Sequence, residues 1–217
     1  MSGKAALLVY GGWQGHEPEA STRRFVPFLE GEGFTVTLSD SLAILDEPEF
    51  LATRDIIIPC WSKGTLSPSQ EANLLAAVEG GVGLAGWHGG MGDAFRASPG
   101  YQFMCGGQFV AHPGDIVDYR VHIACPDDPI FEGLVDFPVH SEQYYLHVDP
   151  SNEVLATTTF SGTVHPWIQG VEMPVVWKRH WGAGRVFYSA LGHSPRDFDQ
   201  PETFTIMSRG MLWAARD

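Results

Sequence analysis

The sequence predicts an α/β fold: a doubly wound, mainly parallel sheet, with extra antiparallel strands and loops over its active edge. Three observations carry that prediction. Between residues 5 and 87, short apolar runs alternate with helix-patterned segments, as successive parallel βα units do. Beyond residue 95 the pattern changes to strand-like runs at 119–124, 142–148, 153–160, 174–181 and 185–191. Between the two regions, "GLAGWHGGMGDAF" (83–95) has the form of a strand-to-helix elbow that displays one side chain above a sheet.

In chain order, "AALLVY" (5–10) reads as a buried strand and "GGWQGHEPEAS" as the loop at its carboxyl end. Ser21 is placed to cap a helix through "TRRFVPFLEGEG", which ends at Gly31 and Gly33. "FTVTLS" (34–39) alternates as a strand, and "DIIIPC" (55–60) is a buried one. The next helix has Ser67 at its N-cap, Pro68 at its first position and Gln70 at the capping-box position, and it stops at Gly80 and Gly81. "VGLAGW" (82–87) is then a central strand of the parallel sheet, leading into the elbow. After the elbow only "PETFTIMSRGMLWAAR" is clearly helical, so the antiparallel strands and long loops are expected to cover the carboxyl edge of the sheet.

At 217 residues the chain fits one domain, residues 1–217, with a core of ordinary size. A formal net charge of −13 argues against nucleic acid, whose phosphates need clustered Lys and Arg, and equally against anionic membranes. A neutral or cationic small molecule, or a metal ion, suits it better; a homo-oligomer is compatible with it. The odd cysteine count (Cys60, Cys105 and Cys125) without CxxC spacing points to reduced thiols and a cytoplasmic setting. No stretch approaches the roughly 20 apolar residues of a membrane span.

Ligands of open α/β sheets bind beyond the carboxyl ends of the strands. His16, Trp61, His88 and His193 all fall there on this reading. Gly86 and Gly90 flank His88, and an elbow costs backbone strain without a packing benefit. His193 lies in the loop "ALGHSPRDF", and His112 lies in "AHPGD", which is also a plain turn. In "SEQYYLHVDP" a regular strand puts Glu142 and Tyr144 on one face and His147 on the other. Glu142 is the candidate base or ligand there, Tyr144 a pocket wall and His147 a substrate contact. Trp13, Trp61, Trp87 and Trp167 offer flat faces on which sugar rings stack, although large aromatics usually serve the core. His122, His140, His165 and His180 read as structural or exposed.

Six blocks, "GGWQGHEPEAS", "GWHGGMGDAF", "MCGGQFVAHPG", "SEQYYLHVDP", "PVVWKRHWGAGRVFYSALGH" and "RGMLWAA", together resemble the ThuA-like (trehalose utilisation) family from about residue 5 to 215. The resemblance implies a flavodoxin-like fold of the class I glutamine amidotransferase type, with His88 where amidotransferases carry cysteine and His193 facing it. Without a thiol at position 88 there is no nucleophile for glutamine hydrolysis. The resemblance further implies work on oxidised sugars or glycosides such as 3-keto-disaccharides. A 3-ketone acidifies the C2 proton, and histidine suits its removal because its pKa lies near neutrality. Elimination, hydrolysis and isomerisation remain open, with His88, His193, His16 and Glu142 as catalytic candidates and Trp61, His112, Tyr144 and His147 around the substrate. His16, His88, His193 and Glu142 also have the ligand types for a divalent, zinc-like metal, though no short spacing marks a site. The rival reading is a non-catalytic carbohydrate-binding or regulatory module.

Overall fold

The computed structural model describes residues 3–217, so residues 1–2 of the expected domain lie outside the described residues. Five strands form the parallel half of one sheet: β1 (Lys4–Gly12), β2 (Phe34–Ser39), β3 (Ile56–Ser62), β4 (Gly83–Trp87) and β11 (Gly184–Ser189). Their order is β2-β1-β3-β4-β11, which places "VGLAGW" inside the sheet as expected. The sheet continues antiparallel through β10 (Glu172–Trp181), β9 (Glu153–Thr159), β6 (Ile116–Ile123) and β7 (Phe137–Glu142), for nine strands in all. A separate antiparallel pair joins β5 (Gly107–Ala111) to β8 (Tyr145–Val148).

The antiparallel strands therefore do something other than cover the edge. β10, β9 and β6 extend the sheet sideways, and only β5, β8 and the end of β7 reach the active edge. Four steps of about 4.8 Å would put β7 about 19 Å from β11 in a flat sheet. Yet Glu142, the last residue of β7, lies 3.3 Å from His88, which directly follows β4, one strand further still. The sheet must curl strongly to make that contact, in the sense that natural sheets twist.

Helices α1 (Pro18–Arg23), α2 (Val26–Gly31) and α7 (Pro201–Ala214) form one group, joined by Phe25 stacked on Phe204 at 5.2 Å. α3 (Pro48–Ala52), α4 (Pro68–Glu79) and α6 (Pro99–Cys105) form another. α4 has the expected capping box, with Ser67 and Gln70 each bonded to the other's backbone N–H. The first helix departs from expectation. Ser21 lies inside α1 and donates its hydroxyl to the His16 carbonyl instead of capping, and the helical stretch is split in two. Pro27 explains the break, because it lacks an N–H and its ring crowds the preceding turn. α3 and α6, each one to two turns long, carry too little periodicity to be anticipated.

α7 crosses β4 and β11 closely. Gly210 faces the Phe187 ring so tightly that a methyl group there would collide with it. Gly210→Ala should therefore destabilise by about 1–3 kcal/mol from overpacking, although Ala is ordinarily worth about 1 kcal/mol over Gly in a helix. Urea unfolding checks this: the midpoint should fall, and a raised midpoint would show that the helix does not seat against β11.

Candidate active site

Four parallel strands end in groups that meet. β1 leads into a short 3-10 turn, Gln14–His16, and β3 ends on Ser62. β4 leads into His88, and β11 leads into His193. The three imidazoles lie 4.9 Å (His16–His88), 5.2 Å (His16–His193) and 5.3 Å (His88–His193) apart, centre to centre. Glu142, the last residue of β7, completes the group from the far side of the curled sheet. Its Oε2 is 3.3 Å from His88 Nε2 and 3.3 Å from His193 Nδ1.

His88 has φ 43, the left-handed region that non-glycine side chains rarely enter, as the turn from β4 into α5 (His88–Gly92) demands. A side chain at Gly89 would collide with His16 and crowd the Tyr144 hydroxyl, so glycine there is required by close approach. One expectation needs correction. The elbow side chain is not held out in the open: His88 is only 1% exposed, because Tyr144 lies over it at 3.9 Å.

Around the quartet, His16 Nδ1 is bonded to Ser62 Oγ at 2.5 Å, and His88 Nδ1 to Tyr144 Oη at 3.0 Å. Asp197 accepts from the His193 N–H at 3.1 Å and from the hydroxyls of Ser141 and Ser194. It thereby ties the His193 loop to the strand that carries Glu142. The cleft, about 220 Å³, is walled by Trp13, Lys63, Asp93, Arg96, Phe109, His112 and Tyr144 as well as His16 and Glu142.

Electrostatics separate the four groups. Burial pushes His16 down to about 3, helped by the neighbouring His88 and His193. Burial also lowers His88, against partial opposition from Glu142. His193 moves up instead, because the Glu142 carboxylate lies against its ring. For Glu142, burial alone would raise the pKa, but His193 and His88 together hold it well below the usual carboxylate range. His16 and His88 are thus biased toward the neutral form, with lone pairs available, whereas Glu142 favours the protonated form of His193. Two buried nitrogens, His88 Nε2 and His193 Nδ1, have no aligned hydrogen-bond partner.

That orphaning bears on metal binding. Four donors on a tetrahedral ion with bonds of about 2.0–2.1 Å lie about 3.3–3.4 Å apart, and both Glu142 contacts are 3.3 Å. The donor atoms of His16, His88, Glu142 and His193 all fall within 4.8 Å of one another. Three imidazoles and a carboxylate have both the chemistry and the spacing to hold one divalent cation.

The other sequence candidates divide. Tyr144 and His112 line the cleft; Trp61 and His147 do not. Trp61 packs over Gly11, Gly12 and Gly64, whereas its neighbour Ser62 faces His16, because successive strand residues point to opposite faces. His147 is exposed on β8, since the run 141–148 is not one regular strand but breaks at Gln143–Tyr144. Sequence reasoning missed Ser62, Lys63, Asp93, Arg96, Phe109 and Asp197. Only the one-residue offset from Trp61 could have pointed to any of them, namely Ser62.

A model of the ThuA family, described as trehalose utilisation, matches residues 5–214. The chain belongs to the ThuA family. No curated protein matches it. Among solved structures it is similar to a protein described as ThuA-like from Bacteroides uniformis, at 18% identity and TM-score 0.79, covering 96% of this chain and 89% of that one. It is also similar to a protein described as cytoplasmic from Salmonella typhimurium, at 12% identity and TM-score 0.68, covering 98% and 100%. A β-galactosidase of Bacillus circulans matches at 13% identity and TM-score 0.61 over 99% of this chain but only 32% of the enzyme. These likenesses show a shared fold. The family's description gives this ThuA member a carbohydrate-related role. No helix among the described residues is long and apolar enough to cross a membrane.

The depressed His16 pKa has a stability consequence with a definite sign. Above about pH 6.5, His16 is neutral both folded and unfolded, and contributes nothing. Below that, the unfolded chain binds a proton that the folded one refuses until about pH 3. Stability of the metal-free protein should therefore fall on acidification through this window, with His16 contributing a slope approaching ~1.4 kcal/mol per pH unit. Urea unfolding of wild type and His16→Gln with chelator, between pH 7 and 4, checks it. The variant should show the shallower dependence, and parallel curves would mean that His16 titrates freely.

Proposed function

We propose that the protein is a cytoplasmic, metal-dependent enzyme of carbohydrate metabolism that acts on keto-sugars or keto-glycosides. The observation that carries the reading is the convergence of His16, His88, His193 and Glu142, with His88 Nε2 and His193 Nδ1 both 3.3 Å from one Glu142 oxygen. A purely structural cluster would align at least one imidazole with that oxygen, whereas neither contact has hydrogen-bond geometry. The strand order β2-β1-β3-β4-β11 and the left-handed elbow support a flavodoxin-like, amidotransferase-type scaffold. On our reading glutamine hydrolysis is not its chemistry. Position 88 holds an imidazole, and burial pushes the Cys60 and Cys105 thiols up to about 12.

A zinc-like ion bound by the quartet would supply electrophilic polarisation of a substrate carbonyl or hydroxyl oxygen. The chain's own residues do the rest. Ser62 and Tyr144 hold the rings of His16 and His88 in fixed orientations, as groups behind metal ligands commonly do. Burial keeps Tyr144 a neutral phenol, so its hydroxyl can donate to a substrate oxygen. Trp13, 45% exposed at the cleft wall, offers a face to a sugar ring. Phe109 lies 4.5 Å from the Tyr144 ring and excludes water from that side. A ketone next to a C–H bond acidifies it, so this environment favours proton abstraction beside a carbonyl, the step shared by elimination and isomerisation.

Chelated protein titrated with zinc should take up one equivalent. Glu142→Gln, nearly isosteric, should weaken that binding by at least about 10–100-fold. His88→Asn should do the same, and asparagine is chosen because it tolerates the left-handed backbone. Both variants should also lose most turnover of a 3-keto-disaccharide. Wild type that binds no metal would remove the metal from this reading. Wild type that binds sugars tightly without converting them would make the protein a carbohydrate-binding module.

A further inference from the structure

We propose that His112 is the residue that takes the substrate proton, and that Asp115 is its positioning residue. The inference rests on the reading of the quartet as a metal-bound centre acting on a carbonyl sugar. If His16, His88, His193 and Glu142 each commit a donor atom to one ion, the imidazoles have no free lone pair, and the charge of the ion leaves Glu142 Oε1 only a weak base. The acceptor must then come from the remaining cleft wall. Asp93 has both carboxylate oxygens engaged by Arg96, at 2.5 and 2.9 Å. Lys63 and Arg96 are cations, Tyr144 is a phenol kept protonated by burial, and Trp13 and Phe109 carry no base. His112 remains.

Its geometry fits the role. The His112 ring stacks on Phe109 at 5.7 Å, and its Nε2 is 3.8 Å from Glu142 Oε1. That is the carboxylate oxygen turned away from the quartet, because His88 and His193 both face Oε2. His112 Nδ1 is buried without an aligned hydrogen bond, and Asp115 Oδ1 lies 3.2 Å from it as a charge contact. The local sequence builds this pair. In "HPGD" the Asp115 N–H donates to the His112 carbonyl at 3.0 Å, with Pro113 second and Gly114 at φ +93 third, a type II turn. Asp115 follows in the left-handed region, φ 56, which a side chain of its kind enters more readily than most. The turn thus folds the carboxylate back against the ring. With its proton on Nδ1, where the Asp115 carboxylate favours it, His112 would present the Nε2 lone pair to the cleft, as a histidine base oriented by an acid does.

The step balances without any oxidant or reductant. The C–H bond beside the substrate carbonyl breaks and its proton goes to His112 Nε2. The C–H electron pair becomes a carbon–carbon π bond, and the carbonyl π pair moves onto oxygen. In an isomerisation that proton returns to the former carbonyl carbon, while the proton of the adjacent hydroxyl passes to the former carbonyl oxygen and the hydroxyl-bearing carbon becomes the new ketone. In an elimination the enolate re-forms its carbonyl, a carbon–carbon double bond forms toward the anomeric carbon, the glycosidic C–O bond breaks with its pair on oxygen, and the proton goes to that oxygen. His112 ends neutral in both cases.

The test uses zinc-loaded full-length protein and a 3-keto-disaccharide in D₂O. Wild type should exchange the proton beside the ketone with solvent. His112→Gln should lower both exchange and kcat by about 100-fold or more, while zinc affinity stays near that of wild type and the metal-free melting temperature is unchanged. His112→Gly should recover exchange on addition of imidazole. Asp115 is 87% exposed on its side chain, so its effect should be smaller. Asp115→Asn should lower kcat with KM unchanged and shift the ¹⁵N signals of His112 toward the other tautomer, and Asp115→Glu should restore part of both. Wild-type exchange in His112→Gln overturns the inference. So does a loss of zinc affinity in it as large as that of Glu142→Gln, which would make His112 a ligand. Wild type that binds zinc but exchanges no proton overturns it while leaving the metal centre standing; wild type that binds no zinc overturns both.

Discussion

The contact between the buried Glu142 carboxylate and two imidazoles is the constraint on which the rest of the structure depends. A carboxylate taken out of water is costly unless something compensates its charge. Here the compensation comes from His193 and His88, each 3.3 Å away. Glu142 stands on the far edge strand of a nine-stranded sheet, while the histidines follow strands of the parallel half. The sheet can satisfy the contact only by curling, and Asp197 fastens the curl. Its three hydrogen bonds, from the His193 N–H and the hydroxyls of Ser141 and Ser194, join segments more than fifty residues apart in sequence. The same curl therefore closes the sheet and completes the site.

The elbow supplies the second half of the arrangement. Holding His88 in the left-handed region costs of order 1 kcal/mol or more, and such strain persists where surrounding structure over-determines it. The Tyr188 hydroxyl donates to the His88 carbonyl at 3.1 Å, Tyr144 covers the ring, and Gly89 leaves room for His16. On the proposed reading, a turn suited to presenting a nucleophile presents a nitrogen donor. Burial then keeps the imidazole neutral, the form in which it can ligate.

Much of this was legible in the sequence because it depends on local rules. The parallel strands, the capping box of α4 and the elbow between Gly86 and Gly90 all follow from spacing and turn chemistry, and parallel strands bring their following loops to one edge. His16, His88 and His193 could be grouped on that argument alone. What was not legible depends on breaks in periodicity or on closure in space. Tyr144 joins Glu142 while His147 points to solvent, because the chain leaves β7 and restarts as β8. Trp61 follows its strand to the right edge of the sheet, yet strand parity gives the site to Ser62. Asp197 carries no motif, and its role exists only once the sheet has curled. The antiparallel strands were recognisable as strands, but nothing local says that β10, β9 and β6 would extend the sheet beside β11 instead of lying over its edge.

On the proposed reading, the curl brings Glu142 to three histidines already gathered by the parallel strands, and the four side chains bind one metal ion. Anomalous diffraction at the zinc absorption edge from crystals of zinc-loaded protein tests it most directly. One peak is expected, bounded by His16, His88, His193 and Glu142 Oε2, at about 2.0–2.2 Å from each donor atom. An empty quartet with zinc bound elsewhere, or with no ordered zinc at all, would contradict it.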